Sequence, residues 1–153
     1  MTNTGIHIRQ TTDLPELMRW RMEVIGCVFG DQSPYDTATL AAANADYYAQ
    51  ALANGTHIAV IAGMDVHDVG CASVCLQREL PSPDNPTGLC AYVMNVYVRP
   101  QARRHGVAHA MVRYLTDKAR NLGCGKIWLE STDSALSIYT DLGFEPQKHI
   151  MKL

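Results

Sequence analysis

Apolar and polar positions change period several times along the 153 residues, and each change marks an element. Ile6 and Ile8 alternate with polar neighbours, which is the period of a short strand. Asp13 is a good helix N-cap, and Pro15 with Glu16 suits a first helical turn. Leu17, Met18, Met22, Ile25 and Phe29 then predict a helical apolar face that ends near Gly30. Residues 31–36 read as a loop. An alanine-rich second helix carrying Tyr47 and Tyr48 covers Thr37 to Ala53 and stops at Asn54-Gly55. His57 to Met64 is a strand, 65–68 a turn, and Val69 to Glu79 the returning strand. Three prolines between Leu80 and Gly88 predict an exposed loop, because each removes a backbone donor. Leu89 to Val98 is a fourth strand. Gly106 to Leu122 is a helix with Val107, Ala110, Met111, Tyr114, Leu115 and Ala119 on one face. Residues 126–131 form a fifth strand, Ser134 caps a short helix through Leu142, and residues 149–153 form a terminal strand.

No repeat, low-complexity tract or linker interrupts this order, so residues 1–153 read as one domain. The order predicts an α/β (α+β) fold around a mixed, mostly antiparallel sheet. The strand–helix–strand unit over residues 89–131 places two parallel strands side by side.

Composition narrows the function by exclusion. With 47% hydrophobic and 18% charged residues, the chain reads as an ordinary globular protein. A net charge of -2, with no basic block beyond Arg103-Arg104, argues against nucleic acid as the main partner. Five cysteines without a secretory signal or long apolar run predict a reduced, cytoplasmic setting and no membrane association. Cys71 and Cys75 share one face of a strand and read as buried thiols. No Cys-x-x-Cys is present, and His105 and His109, at i and i+4, have no evident third ligand, so no metal is expected.

The chemistry is concentrated in Arg99-Pro-Gln-Ala-Arg-Arg-His-Gly-Val-Ala108, between a strand and a helix. A helix start offers unpaired N–H groups and partial positive charge to a phosphate. Gly106 allows close backbone approach, and Arg103, Arg104 and His105 add positive charge. Neither Gly-x-x-x-x-Gly-Lys-Ser/Thr nor Gly-x-Gly-x-x-Gly after a strand occurs, which disfavours nucleotide hydrolysis and dinucleotide binding.

Arg103-Arg104-His105-Gly106-Val107-Ala108 resembles the acetyl-CoA pyrophosphate loop of the GNAT N-acetyltransferase superfamily, Gln/Arg-x-x-Gly-x-Gly/Ala. Downstream, Ala135-Leu-Ser-Ile-Tyr139-Thr-Asp-Leu-Gly143-Phe144 resembles that family's Ala-x-x-x-Tyr-x-x-Leu-Gly-Phe signature. The resemblance implies a sheet of six to seven strands with about four helices. It also implies a gap between the two parallel strands for the cofactor. It implies N-acetyl transfer from acetyl-CoA, as cosubstrate, to a primary amine of a small molecule or peptide, by direct attack in a ternary complex. On this reading backbone amides of the turn from Arg103 to Ala108 hold the pyrophosphate, and backbone groups of Val96 and Val98 hold the pantetheine arm. Tyr139 faces the sulfur as general acid, and Thr132 stands where relatives carry a cofactor-binding asparagine, so that contact is altered or supplied by Ser134. The base stays open: the fourth strand has no carboxylate, Tyr92 falls at about the expected position, and Glu130 and a water chain compete for the role. The first two helices and their loop, residues 29–48, would wall the acceptor pocket, with Tyr35, Tyr47 and Tyr48 as lining. A homodimer is a further expectation from the resemblance. The alternatives are a non-catalytic acetyl-CoA-binding regulatory module and a transferase for longer acyl chains.

Overall fold

The fold, seen in a computed structural model that describes residues 5–30 and 36–153, is organised by two central strands buried on both faces. These are β2 (His57–Met64) and β3 (His67–Arg78). Their near-continuous apolar sequences leave no solvent face, so helices must cover both sides. Strand β1 (Ile6–Thr11) flanks β2, and β4 (Leu89–Val98) and β5 (Lys126–Leu129) follow β3, in the order β1-β2-β3-β4-β5. Every pairing is antiparallel except β4 with β5, which are parallel across the helix that joins them. The helices are α1 (Leu14–Val28), α2 (Thr37–Asn54), α3 (Val107–Asn121) and α4 (Leu136–Asp141).

Helix α3 covers one face. Its Val107, Met111, Val112, Leu115 and Ala119 pack with Val60, Ala72, Val74, Ala91 and Val93, the inward positions of β2 to β4. Helices α1 and α2 cover part of the other face, with Trp20 and Val24 on Ile61, Cys71 and Tyr97, and Leu17 and Tyr48 on Ala59. No helix among the described residues is long and apolar enough to cross a membrane.

Five expectations change. Among the described residues the sheet has five strands, not six to seven, and residues 149–153 are exposed and unpaired. An apolar run becomes a strand only where an edge receives it, and none does here. The buried stripe of α1 is Leu17, Trp20 and Val24, while Phe29 is exposed. The stripe follows Trp20, whose ring lies 4.5 Å below the Arg99 guanidinium, itself paired with Glu23 at 3.0 Å. Asp13 makes no side-chain cap; its N–H donates to Thr11 Oγ1 at 3.2 Å. Ser134 caps no helix either, because a 3-10 turn over Asp133–Ala135 precedes α4. Finally, the proline-rich loop is not wholly exposed. Asn85 is buried within it and donates to Glu79 Oε1 at 3.0 Å and the Leu89 carbonyl at 3.2 Å. Gly125 makes room for the Asn85 amide, since a Cβ there would overlap it. Asn85→Ala removes this buried amide with its hydrogen bonds to Glu79 and the Leu89 carbonyl and is expected to cost about 1–3 kcal/mol, read from the urea midpoint.

Candidate active site

Two openings flank β4, one on its free edge and one on its α1/α2 face. The first arises because the parallel ladder stops early. It pairs Cys90 to Val93 with Lys126 to Leu129, yet β4 continues to Val98. Residues 94–98 therefore present an edge with no β5 partner. The register with β3 also slips there, between Cys71 and Ser73, so that two residues of β4 face one of β3. Asn95, at φ +59°, takes the left-handed conformation this bulge demands. The parallel pairing thus ends before β4 does, at the place where the resemblance implied a gap for the cofactor.

Beyond this edge the chain makes a 3-10 turn over Pro100–Ala102 and enters α3. Gly106 is the N-cap at φ +82°, which only glycine and a few polar residues adopt easily. The first amide with a helical acceptor is Ala110, which donates to the Gly106 carbonyl at 3.0 Å. The amides of Val107, Ala108 and His109 lie ahead of it and have no intrahelical acceptor, and no side chain caps the helix. This is the donor set a pyrophosphate requires.

The basic side chains of the turn divide their work. Arg99 holds Glu23 and the Asp68 carbonyl, away from the turn. Arg103 folds back: its Nε donates to the Val98 carbonyl at 2.8 Å and its guanidinium lies 6.0 Å from the Tyr97 ring centroid. His105 donates Nδ1–H to the Arg103 carbonyl at 2.7 Å. Arg103 and His105 thus shape the loop, while Arg104, exposed at φ +63°, makes no side-chain hydrogen bond among the described residues. One lone pair of the Val98 carbonyl is already used by Arg103, so the Val96 backbone is the more open of the two positions.

Val98, Ala102, Val107 and Tyr139 belong to one buried cluster, with Val96 and Ala108 packed against it. The fold therefore gathers the β4 edge, the turn and α4. Tyr139 is 8% exposed and meets Phe144 edge-to-face at 6.1 Å. Its hydroxyl has no hydrogen-bond partner among the described residues, and burial raises its pKa above the ordinary 10. Thr132 and Ser134 are exposed and their hydroxyls lie 3.2 Å apart. Glu130 is exposed just beyond β5, and its charge is felt at Tyr92.

The second opening is a cleft of about 170 Å³ where α1 and α2 leave the sheet uncovered. Strand register builds its floor. His57 opposes Cys75, Cys75 opposes Tyr92, and Tyr92 opposes Trp128, giving one transverse row across four strands. His57 and Cys75 lie in the cleft; beyond them Tyr92 stacks on Trp128, with centroids 4.4 Å apart. The next row places Ser73 opposite Met94, and both line the cleft. Tyr47 and Tyr48 line the α2 wall as the sequence suggested, whereas Tyr35 lies outside the described residues. The Tyr47 hydroxyl is 2.9 Å from His57 Nδ1 and 3.0 Å from Cys75 Sγ. Burial raises the Cys75 thiol pKa, which speaks against a thiolate nucleophile.

Sequence reasoning missed His57, Cys75, Met94, Asn95, Asn44 and Arg21 as cleft residues. Arg21 did leave a signal: it interrupts the apolar stripe Leu17–Val24 at i+4 from Leu17.

His57 makes a prediction of its own. Burial, then the nearby Arg21 charge, lowers its pKa to about 4, and its Nε2 is buried without a partner. The unfolded chain binds this proton near pH 6.5 and the folded chain does not, so stability is lost as pH falls from 6.5 toward 4. Between pH 6.5 and 5, above most carboxylate titration, about 2 kcal/mol should disappear through this residue. In His57→Gln that part of the slope, measured by urea unfolding, is absent.

Comparison with known proteins agrees with this geometry. The Acetyltransferase (GNAT) family matches residues 14–144. Glucosamine 6-phosphate N-acetyltransferase of Trypanosoma brucei brucei is 31% identical over 85 residues, a stretch spanning 56% of this chain and 56% of that enzyme. A predicted acetyltransferase from Clostridium acetobutylicum, solved with acetyl-CoA, superposes with a TM-score of 0.82 at 21% identity, covering 97% of this chain and 96% of that one. The aminoglycoside acetyltransferase AAC(6')-Iy, in complex with the bisubstrate analogue CoA-S-monomethyl-acetylneamine, superposes with a TM-score of 0.73 at 18% identity, covering 97% of both chains. With the family matched along most of its length, and an open helix start beside a free strand edge, this chain belongs to the acetyltransferase (GNAT) family.

Proposed function

We propose that the protein transfers an acetyl group from acetyl-CoA to the primary amine of a small molecule or peptide, by direct attack in a ternary complex. One observation carries this reading: the pairing of β4 with β5 ends at Val93, and the edge of β4 left beyond it leads through one short turn to the N-terminus of α3, which no side chain caps. Acetyl-CoA, when bound, supplies the activated thioester. The amides of Val107, Ala108 and His109 and the exposed Arg104 hold the pyrophosphate. The free backbone at Val96 binds the pantetheine arm as an added strand would bind a sheet edge. The cleft on the α1/α2 face admits the amine, which must be neutral to attack. As the C–N bond forms and the C–S bond breaks, the Tyr139 phenol gives its proton to the departing sulfur and is reprotonated from solvent. The surplus amine proton leaves through water, with Glu130 at the end of β5 as the carboxylate we assign to receive it. Thr132 and Ser134 flank the entry to α4 and complete the cofactor side.

Initial-rate kinetics with both substrates varied tests this. Intersecting patterns are expected for direct attack, and parallel patterns would indicate an acyl-enzyme instead.

A further inference from the structure

Among the described residues that line the acceptor cleft, Arg21 carries the one permanent charge, and none is a carboxylate. Its partners are neutral. Nε donates to Asn44 Oδ1 at 3.1 Å, and Nη1 donates to Asn95 Oδ1 at 2.8 Å. Nearby arginines are treated differently: Arg9 pairs with Glu16 and Asp68, and Arg99 pairs with Glu23. Among the described residues Arg21 makes no ion pair. A half-buried guanidinium clamped by two amides, with the rest of its five N–H donors unspent among the described residues, is a preorganised receptor for a planar or tetrahedral oxyanion. A hydrophobic residue would fill this place in the stripe of α1 at less desolvation cost, so the charge needs a use.

Its position says where that use lies. Asn95, which holds Nη1, is the bulge residue of β4 and immediately precedes Val96, the backbone assigned above to the cofactor arm. An anion on Arg21 therefore sits beside the reacting centre, within the reach of a short molecule. The same inventory disfavours a polycationic acceptor, which would meet a fixed positive charge and no carboxylate among the described cleft residues.

We propose that Arg21 anchors the acceptor, and that the acceptor is a primary amine carrying a carboxylate or phosphate monoester a short distance from its nitrogen. This rests on the acetyltransferase reading above.

The test compares ethanolamine, β-alanine and O-phosphoethanolamine, three amines on a two-carbon spacer that differ in the distal group. In the wild type, kcat/KM for an anionic amine should exceed that for ethanolamine by about 10- to 100-fold. Which anionic amine leads distinguishes carboxylate from phosphate. In Arg21→Gln the ratio should fall to near one, and Arg21→Lys should recover part of it. A ratio near one in the wild type, or one that persists in Arg21→Gln, overturns the proposal. Uniform loss over all three amines also overturns it, since Arg21 would then serve the thioester or the fold. If none of the amines turns over, thermal stabilisation of the CoA-loaded protein decides. Stabilisation by β-alanine or O-phosphoethanolamine that is lost in Arg21→Gln supports the anchor, and none in the wild type overturns it. Calorimetry with acetyl-CoA alone separates this outcome from failure of the acetyltransferase reading, which would show as no cofactor binding.

Discussion

Tyr139→Phe is expected to lower kcat about 100-fold while leaving CoA affinity and stability nearly unchanged. The hydroxyl makes no hydrogen bond among the described residues, so its removal breaks nothing in the fold, and phenylalanine keeps the edge-to-face contact with Phe144. On the proposed mechanism, what is lost is the proton donor to the departing sulfur. Because burial holds the phenol above its ordinary pKa, it stays protonated through the neutral range, and the alkaline limb it sets lies above pH 10. Steady-state rates from pH 6 to 9 check this. A variant as fast as wild type would make Tyr139 a core residue only.

Gly106→Glu should weaken acetyl-CoA binding about 100-fold or more. The substitution meets no packing obstacle, because a Cβ at this exposed N-cap has no heavy atom within 4 Å. It does strain the backbone at φ +82°, at a cost of about 1–2 kcal/mol. Gly106→Asn, which tolerates that conformation, is the matched control for strain. The carboxylate is the active ingredient. It places negative charge at the helix start where the pyrophosphate must approach, and like charges in contact cost several kcal/mol, or two or more powers of ten. Thermal stabilisation by CoA should vanish in the Glu variant and persist in the Asn variant. Loss in both would place the effect in the backbone rather than in charge.

How far the sequence reached depends on whether a feature is local. The turn from Arg103 to Ala108 is local: strand, basic run, glycine and helix follow one another in the chain, and the structure keeps that order. Strands β2 and β3 were equally plain from their apolar runs. The cleft floor is not local. His57 and Cys75, and Ser73 and Met94, come from three strands, and only inter-strand register lines them up. The bulge at Asn95 sits on a residue type that tolerates the left-handed conformation, but one asparagine within an apolar strand does not by itself locate a bulge. Side-chain direction was hidden as well. Arg103 reads as a phosphate ligand in the sequence, yet its Nε is committed to the Val98 carbonyl. The C-terminal residues 149–153 show the opposite error, an apolar pattern that no sheet edge receives.

Calorimetric titration of the wild-type protein with acetyl-CoA tests the central claim most directly. The open amides of α3 and the free edge of β4 predict saturable binding at one site per chain. Heats no larger than dilution across the titration would contradict the account, because the geometry on which the acetyltransferase reading stands would then hold no cofactor.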